Sequence, residues 1–318
     1  MNNNKLKNFS ISFFAMLLGM MGFTVAFQKG EQFLHFPFVI SNYLLWFVLT
    51  VTAIVVITYL LKIVKYPNEI KKEFNHKIKM NFFPTTAIIF LLVSILFLDI
   101  NHSVSKVFWF IGTIGQSFFL FRIITKWMNH KGTEIHHFNP AWFIPAVGNI
   151  LVPVAGVKML HTEVSWFFFA VGIVFWIVLL VILFNRIFFH HPLPEKLFPM
   201  LFLIIAPPAV GFISYVKLTH HIDPFAKILY YFALFATILL LSQFRYFKQI
   251  KFYFSWWAYS FPMAAFTTAS ILFYHKTNMV FLKYIAITGL SITSLLVGYL
   301  LIKTLISIIK GEICVEED

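Results

Sequence analysis

The residues of this chain that can loosen a helix or offer a small polar surface are concentrated in alternate apolar stretches. Counting about ten such stretches from the N-terminus, every proline inside one falls at an odd number: Pro84 in the third, Pro145 and Pro153 in the fifth, Pro199, Pro207 and Pro208 in the seventh, and Pro262 in the ninth. The first odd stretch carries Gly19 and Gly22 instead. A proline within a helix removes one backbone hydrogen bond and exposes a carbonyl, which lipid cannot satisfy but a neighbouring helix or the water of a cavity can. The odd stretches are therefore expected to face inward. They also hold Thr85, Thr86, Ser94, Gly148, Asn149, Gly211, Ser214, Ser260, Thr267, Thr268 and Ser270. Such a lining could carry weakly hydrated anions without gripping them tightly. The competing role of each small residue is helix packing.

Other chemistries lack their residues. No Asp, Glu, Lys or Arg lies near the middle of any stretch, and Asp99, Lys158 and Lys217 fall toward the predicted outer ends. A proton-coupled carrier generally needs a titratable group at mid-depth, and cation pathways are often lined by acidic rings. The adjacent pairs His136-His137, His190-His191 and His220-His221 sit at predicted loops or helix ends, and neighbours in sequence do not share a helix face. They match no zinc spacing, so no metal site is expected. No Gly-rich phosphate loop, nucleophile elbow or HExxH pattern is present. The chain reads as a non-enzyme with no catalytic residues and no cofactor.

The elements that must position these residues follow from composition. With 60% hydrophobic residues, 12% charged residues, 42 Phe and a mean hydropathy of +0.83, the chain of 318 residues carries more apolar surface than one soluble core can hide. Windows of roughly 20 apolar residues predict spans at 10–27, 39–61, 82–100, 104–125, 140–160, 164–188, 197–216, 224–245, 256–274 and 280–306. The fold class is an all-α integral membrane protein with ten transmembrane helices. The spans pair five times as a proline- or glycine-bearing helix followed by a bulky one with residues such as Trp46, Trp109 and Trp176, a pattern-level repeat of hairpins. Loops are short, so residues 1–318 are expected to form one transmembrane domain. The longest loop, about 62–81, carries Ile70, Phe74 and Ile78 among lysines, which suits a short amphipathic helix on the inner membrane surface. Ala26-Phe27-Gln28 after the first span is not a clean small-x-small cleavage site, so that span is expected to be retained. The single Cys314 has no partner for a disulfide within the chain.

Orientation comes from the basic residues. Of the 25 Lys and Arg, 18 fall on one set of ends: Lys5, Lys7, Lys62, Lys65, Lys71, Lys72, Lys77, Lys79, Arg122, Lys126, Lys131, Arg186, Lys196, Arg245, Lys248, Lys251, Lys303 and Lys310. Cytoplasmic loops carry the Lys/Arg excess, so both termini are expected in the cytoplasm and the protein in the cell inner (plasma) membrane as a multi-pass chain. The net charge of +13 is then mostly topology, and no nucleic-acid partner is expected.

The segments IGTIGQ at 111–116, NPAWFIPAVGN at 139–149, APPAVGFISY at 206–215, AKILYYF at 226–232 and WAYSFPMAAFTTAS at 257–270 resemble, in order, the tellurite-resistance/dicarboxylate transporter family, which includes the TehA-like proteins and the slow anion channels of plant guard cells. The resemblance implies a homotrimer embedded in lipid, each protomer with its own central pore inside five hairpins of quasi-fivefold symmetry, lined by the odd helices. It further implies a phenylalanine gate in the ninth helix. The matching position is Phe261, which composition alone would not single out among 42 phenylalanines. Pro262 departs from the glycine that follows the gate in a bacterial relative, which puts the local bend in question. The tails are too short for the phosphorylation-controlled regions of the plant channels. Members conduct or export small anions, with chloride, nitrate or organic acids as candidates here; the alternative is a coupled exporter of dicarboxylate, sulfite or tellurite-related anions.

Overall fold

The computed structural model describes residues 3–36, 39–129, 134–243, 245–246 and 250–314. Lys131 and Lys248, counted above toward the basic ends, lie outside the described residues. The helices are α1 (Asn3–Lys7), α2 (Phe14–Leu34), α3 (Ser41–Lys65), α4 (Pro67–Asn75), α5 (Thr85–Phe97), α6 (His102–Asn129), α7 (Phe143–Gly156), α8 (Thr162–Phe189), α9 (Ala206–Thr219), α10 (Pro224–Ser242), α11 (Ser260–Thr277) and α12 (Val280–Ile309). No strand occurs among the described residues, as expected where lipid leaves every backbone group to be satisfied within its own segment. The protein is an all-α membrane protein. Nine helices among the described residues are long and apolar enough to cross a membrane; α11, with its five Ser and Thr, His275 and Lys276, is the long helix outside that set.

Burial separates the helices into two classes in strict alternation. The spans containing α2, α5, α7 and α9 are 72%, 83%, 94% and 94% buried, whereas those of α3, α6, α8, α10 and α12 lie between 28% and 39%. In α11 every residue from Ser260 to Phe273 is buried. The inner helices pack in chain order, α2 on α5, α5 on α7, α7 on α9, α9 on α11, and α11 closes on α2. Each outer helix packs on the inner helix preceding it. Close approach within these hairpins uses glycine on the outer helix: a Cβ at Gly112 would stand 2.8 Å from Leu91, and one at Gly172 2.5 Å from Ile150. Outward residues such as Ile114, Phe118, Phe121, Val174 and Val181 are exposed, a surface suited to lipid rather than water. Trp46 is exposed among them, whereas Trp109 and Trp176 turn inward, Trp109 donating Nε1–H to the Val152 carbonyl at 2.9 Å.

The prolines act differently from the expectation of mid-helix breaks. Each inner helix is preceded by a 3₁₀ segment: Ile11–Phe13, Lys79–Phe82, Pro140–Trp142, Glu195–Ile204 and Phe254–Tyr259. Pro84 immediately precedes α5, Pro207 and Pro208 open α9, and Pro145 and Pro262 are the third residues of α7 and α11. The first four N–H groups of a helix have no intrahelical acceptor, so proline there costs no hydrogen bond and fixes the turn from 3₁₀ to α. Pro153 alone of these site residues lies in an α-helix interior.

The described segments nearest the two termini, around residues 5–9 and Gly311, lie at one end of the bundle, called proximal here; the other is distal. Lys62 of α3 donates to the Phe9 carbonyl at 2.8 Å, and Lys5 Nζ lies 3.7 Å from where a Cβ on Gly311 would be. The loop helix exists as α4, but it ends at Asn75, so Ile78 lies beyond it. Its Phe74 packs on the bundle, edge-on to Phe83 at 5.0 Å and under Lys126 at 4.7 Å.

Candidate functional site

All five inner helices contribute to one cavity of about 40 Å³ on the bundle axis. Its walls are Gly22 and Val25 of α2, Leu92 and Ile95 of α5, Leu151 and Val154 of α7, Val210 and Ile213 of α9, and Phe261, Ala265 and Thr268 of α11. Four helices present two residues three apart, the spacing that puts both on one face. The cavity holds roughly one or two water molecules, too little for a hydrated ion. Thr268 supplies the one side-chain hydroxyl of this wall, and its Oγ1 donates at 2.9 Å to its own helix at the Ala264 carbonyl. No titratable side chain borders the cavity.

Phe261 closes it at the proximal side. The residue is 6% exposed, on the first turn of α11, and its ring lies against Gly22 of the adjoining α2. Its position is set from below by the 3₁₀ segment Phe254–Tyr259, anchored by Trp257, which is fully buried and donates Nε1–H to Thr304 at 3.0 Å. Pro262 sits where its missing N–H has no helical acceptor, so α11 enters without a kink from it.

Of the residues the sequence singled out, Phe261, Gly22 and Thr268 border the cavity. Gly19 faces α11 instead: a Cβ there would stand 1.8 Å from the Ser260 hydroxyl. Pro84, Pro145, Pro153, Pro207, Pro208 and Pro262 are buried in or beside their helices, away from the cavity wall. Among the small and hydroxylated residues, most turn to neighbouring helices. Ser94 meets Ser105 at 3.1 Å, Ser214 donates to the Ile150 carbonyl, Ser270 meets Tyr230 at 3.0 Å, and Gly148 admits Gln116, whose Nε2 reaches the Pro145 carbonyl at 2.8 Å. Packing takes these groups, and aliphatic side chains take the axis. The aliphatic pairs were not singled out by sequence, although their i, i+3 spacing within the odd stretches was the available signal.

The histidine pairs lie apart. His137 meets Lys77 at 2.8 Å and His136 meets Glu134 at 3.1 Å, while His190 and His220 terminate helices. Among the described residues, no group of three or more His, Cys, Asp or Glu is placed to hold a metal.

Comparison with known proteins agrees with this architecture. Residues 8–305 match the family described as voltage-dependent anion channel. The S-type anion channel SLAH2 of Arabidopsis thaliana is 32% identical over 291 residues, covering 89% of this chain and 56% of the relative. An uncharacterized transporter of Methanocaldococcus jannaschii is 28% identical, covering 97% of each chain. The tellurite resistance protein TehA homolog of Haemophilus influenzae is 23% identical, covering 98% of this chain and 94% of the relative. The chain spans about half the length of the first plant relatives it matches. With nearly its whole length in register with that profile, the chain belongs to the voltage-dependent anion channel family.

Proposed function

We propose that this chain is a passive anion channel, passing small inorganic or organic anions through the axis of each protomer and held shut by Phe261. The observation that carries the reading is the axial cavity itself: five inner helices supply an uncharged aliphatic wall, and one aromatic ring occupies its proximal side. An uncharged narrow path favours ions that shed water at low cost, which is a property of large or polarisable anions. The absence of a titratable group from this wall favours uncoupled flow over proton-coupled export. Matches to S-type anion channels support the same reading.

The protomer is proposed to assemble as a homotrimer in the plasma membrane, with both termini cytoplasmic. The basic excess at the proximal end and the meeting there of the segments around Lys5 and Gly311 support that orientation. Reversal potentials of purified protein in planar bilayers test the function. Currents reversing at the Nernst potential of the anion are expected. Accumulation of anion against its gradient, driven by a pH difference, would replace the channel with a coupled exporter.

A further inference from the structure

The charges on the inner helices collect at the distal mouth of the cavity. Lys29 of α2 and Lys217 of α9, with Asp99 just past the end of α5 and Lys158 in the 3₁₀ turn after α7, follow the nearest preceding cavity-lining residues, Val25, Ile213, Ile95 and Val154 respectively, by four positions. Within α2 and α9 four positions are about one turn, or roughly 6 Å along the axis, on nearly the same face. The fifth inner helix contributes Lys276, eight positions and about two turns beyond its last cavity-lining residue, Thr268. Four of these five charges are positive; α2 also carries Glu31, whose carboxylate is taken up by the Ile40 and Ser41 N–H groups and the Ser41 hydroxyl.

Asp99 divides the ring. Its carboxylate accepts from Lys29 at 2.8 Å and Lys158 at 2.5 Å, tying α2 to α7 across the end of α5. Burial pushes its pKa up, but the hydrogen bonds from Lys158 and Lys29 outweigh burial and hold the carboxyl below the usual range. Lys217 is half-buried, within electrostatic reach of Lys29, Lys158, Asp99 and Lys276. Among the described residues, no carboxylate pairs with Lys217 or Lys276. A mouth with net positive charge above an apolar wall concentrates anions where they must begin to lose water.

We propose that Lys217, with Lys29, Lys158 and Lys276, forms an anion-collecting ring at the distal mouth, and that Asp99 limits its strength by neutralising part of it. The ligands are small anions held by ammonium groups and exchanged freely with solvent. The role of the ring in flow rests on the channel reading above; the ring as a binding site does not.

Current through Phe261→Ala channels in planar bilayers tests its role in flow. Lys217→Met is expected to lower chloride conductance about threefold at about 20 mM salt, the difference shrinking at about 1 M as the Debye length falls to about 3 Å. Asp99→Asn is expected to raise low-salt conductance, a sign that a merely structural loss would not give. An unchanged low-salt conductance in Lys217→Met, or a loss in Asp99→Asn with the protein folded, overturns the proposal. A bromide titration followed through isotope-labelled methylated lysines reads the site without current. A saturable shift at Lys217, strengthened in Asp99→Asn, supports the ring even if no current flows, in which case only the channel reading fails. No shift at Lys217 in folded protein overturns the ring.

Discussion

The ring of Phe261 rests on Gly22. A Cβ at that glycine would lie 3.1 Å from Cδ2 of Phe261 and 3.3 Å from the Ala264 methyl, so this seat of the ring depends on the absence of one methyl group on α2. The contact joins the first and last inner helices, where the ring of helices closes. The ring and its seat therefore form one unit, and substitutions on either side are expected to read out in conductance.

Phe261→Ala is expected to raise anion conductance at least tenfold while expression and oligomeric state stay near wild type. The ring fills the proximal side of a cavity lined otherwise by aliphatic groups, and its removal leaves no side chain of that size on the axis. Phe266→Ala is the matched control. Its ring is 3% exposed and stacks on Tyr230 at 5.8 Å, so it should lower thermal stability, by about 3 kcal/mol if it behaves as a core aromatic, with little change in current. Equal currents in wild type and folded Phe261→Ala protein would remove Phe261 from gating.

Gly22→Ala is expected to raise resting current by less than Phe261→Ala does. The Ala264 methyl is fixed to its helix, so the Phe261 ring is the neighbour that must leave its seat on Gly22. The double variant should match Phe261→Ala alone, because the ring that the new methyl displaces is gone. Gly19→Ala provides the contrast: its methyl meets the Ser260 hydroxyl, itself bonded at 2.6 Å to the Trp257 carbonyl. That substitution should impair folding rather than shift current, measured as a loss of monodisperse protein.

At the proximal end, Lys62 and Glu73 are buried and paired at 3.0 Å, with Tyr59 donating to the second Glu73 oxygen at 2.9 Å. This network pins α4 to α3 and, through the Phe9 carbonyl, the N-terminal segment. Removing one partner leaves an uncompensated buried charge, so Glu73→Ala is expected to destabilise by about 3 kcal/mol or more. The double variant Lys62→Met with Glu73→Leu should be less damaged than Glu73→Ala alone. Thermal unfolding in detergent checks the order of the two.

Cys314 borders a separate cavity of about 610 Å³ at the proximal end, lined also by Lys7, Glu73 and Lys196, and burial pushes its thiol up to about 11, Lys5 and Lys62 acting in the opposite direction. The thiolate is the reactive form, and the unfolded thiol titrates near about 8.5, so at about pH 8 alkylation of folded protein should be slower than that of unfolded protein by on the order of a hundredfold. Because the folded value is raised, the associated stability is full below the unfolded value and declines as pH rises through the folded one. Alkylation rates that match at that pH in the two states would show the thiol to be exposed.

Pattern on a single strand of sequence made much of the architecture legible. Prolines confined to odd stretches marked the inner helices, because only a segment shielded from lipid tolerates loosened backbone, and α5, α7, α9 and α11 are the buried ones. What the prolines do there was not legible. Whether Pro262 breaks a helix or opens one depends on where the helix starts, which the preceding 3₁₀ segment sets through Trp257 and its distant partner Thr304.

The sequence by itself determined that the chain crosses a membrane, that its helices alternate between inner and outer, and which family its ordered segments resemble, since these depend on hydropathy and composition along the chain. Tertiary structure decided which atoms meet the axis. Ser94, Ser214 and Ser270 found hydrogen-bond partners on neighbouring helices, because a buried hydroxyl is stabilised by any partner it can reach. Val25, Ile95, Val154 and Ile213 were left to form the wall, and Lys29, Asp99, Lys158 and Lys217, up to 188 positions apart, were brought to one mouth by the closure of α11 on α2. Such convergence is a property of ring geometry, and no local spacing encodes it.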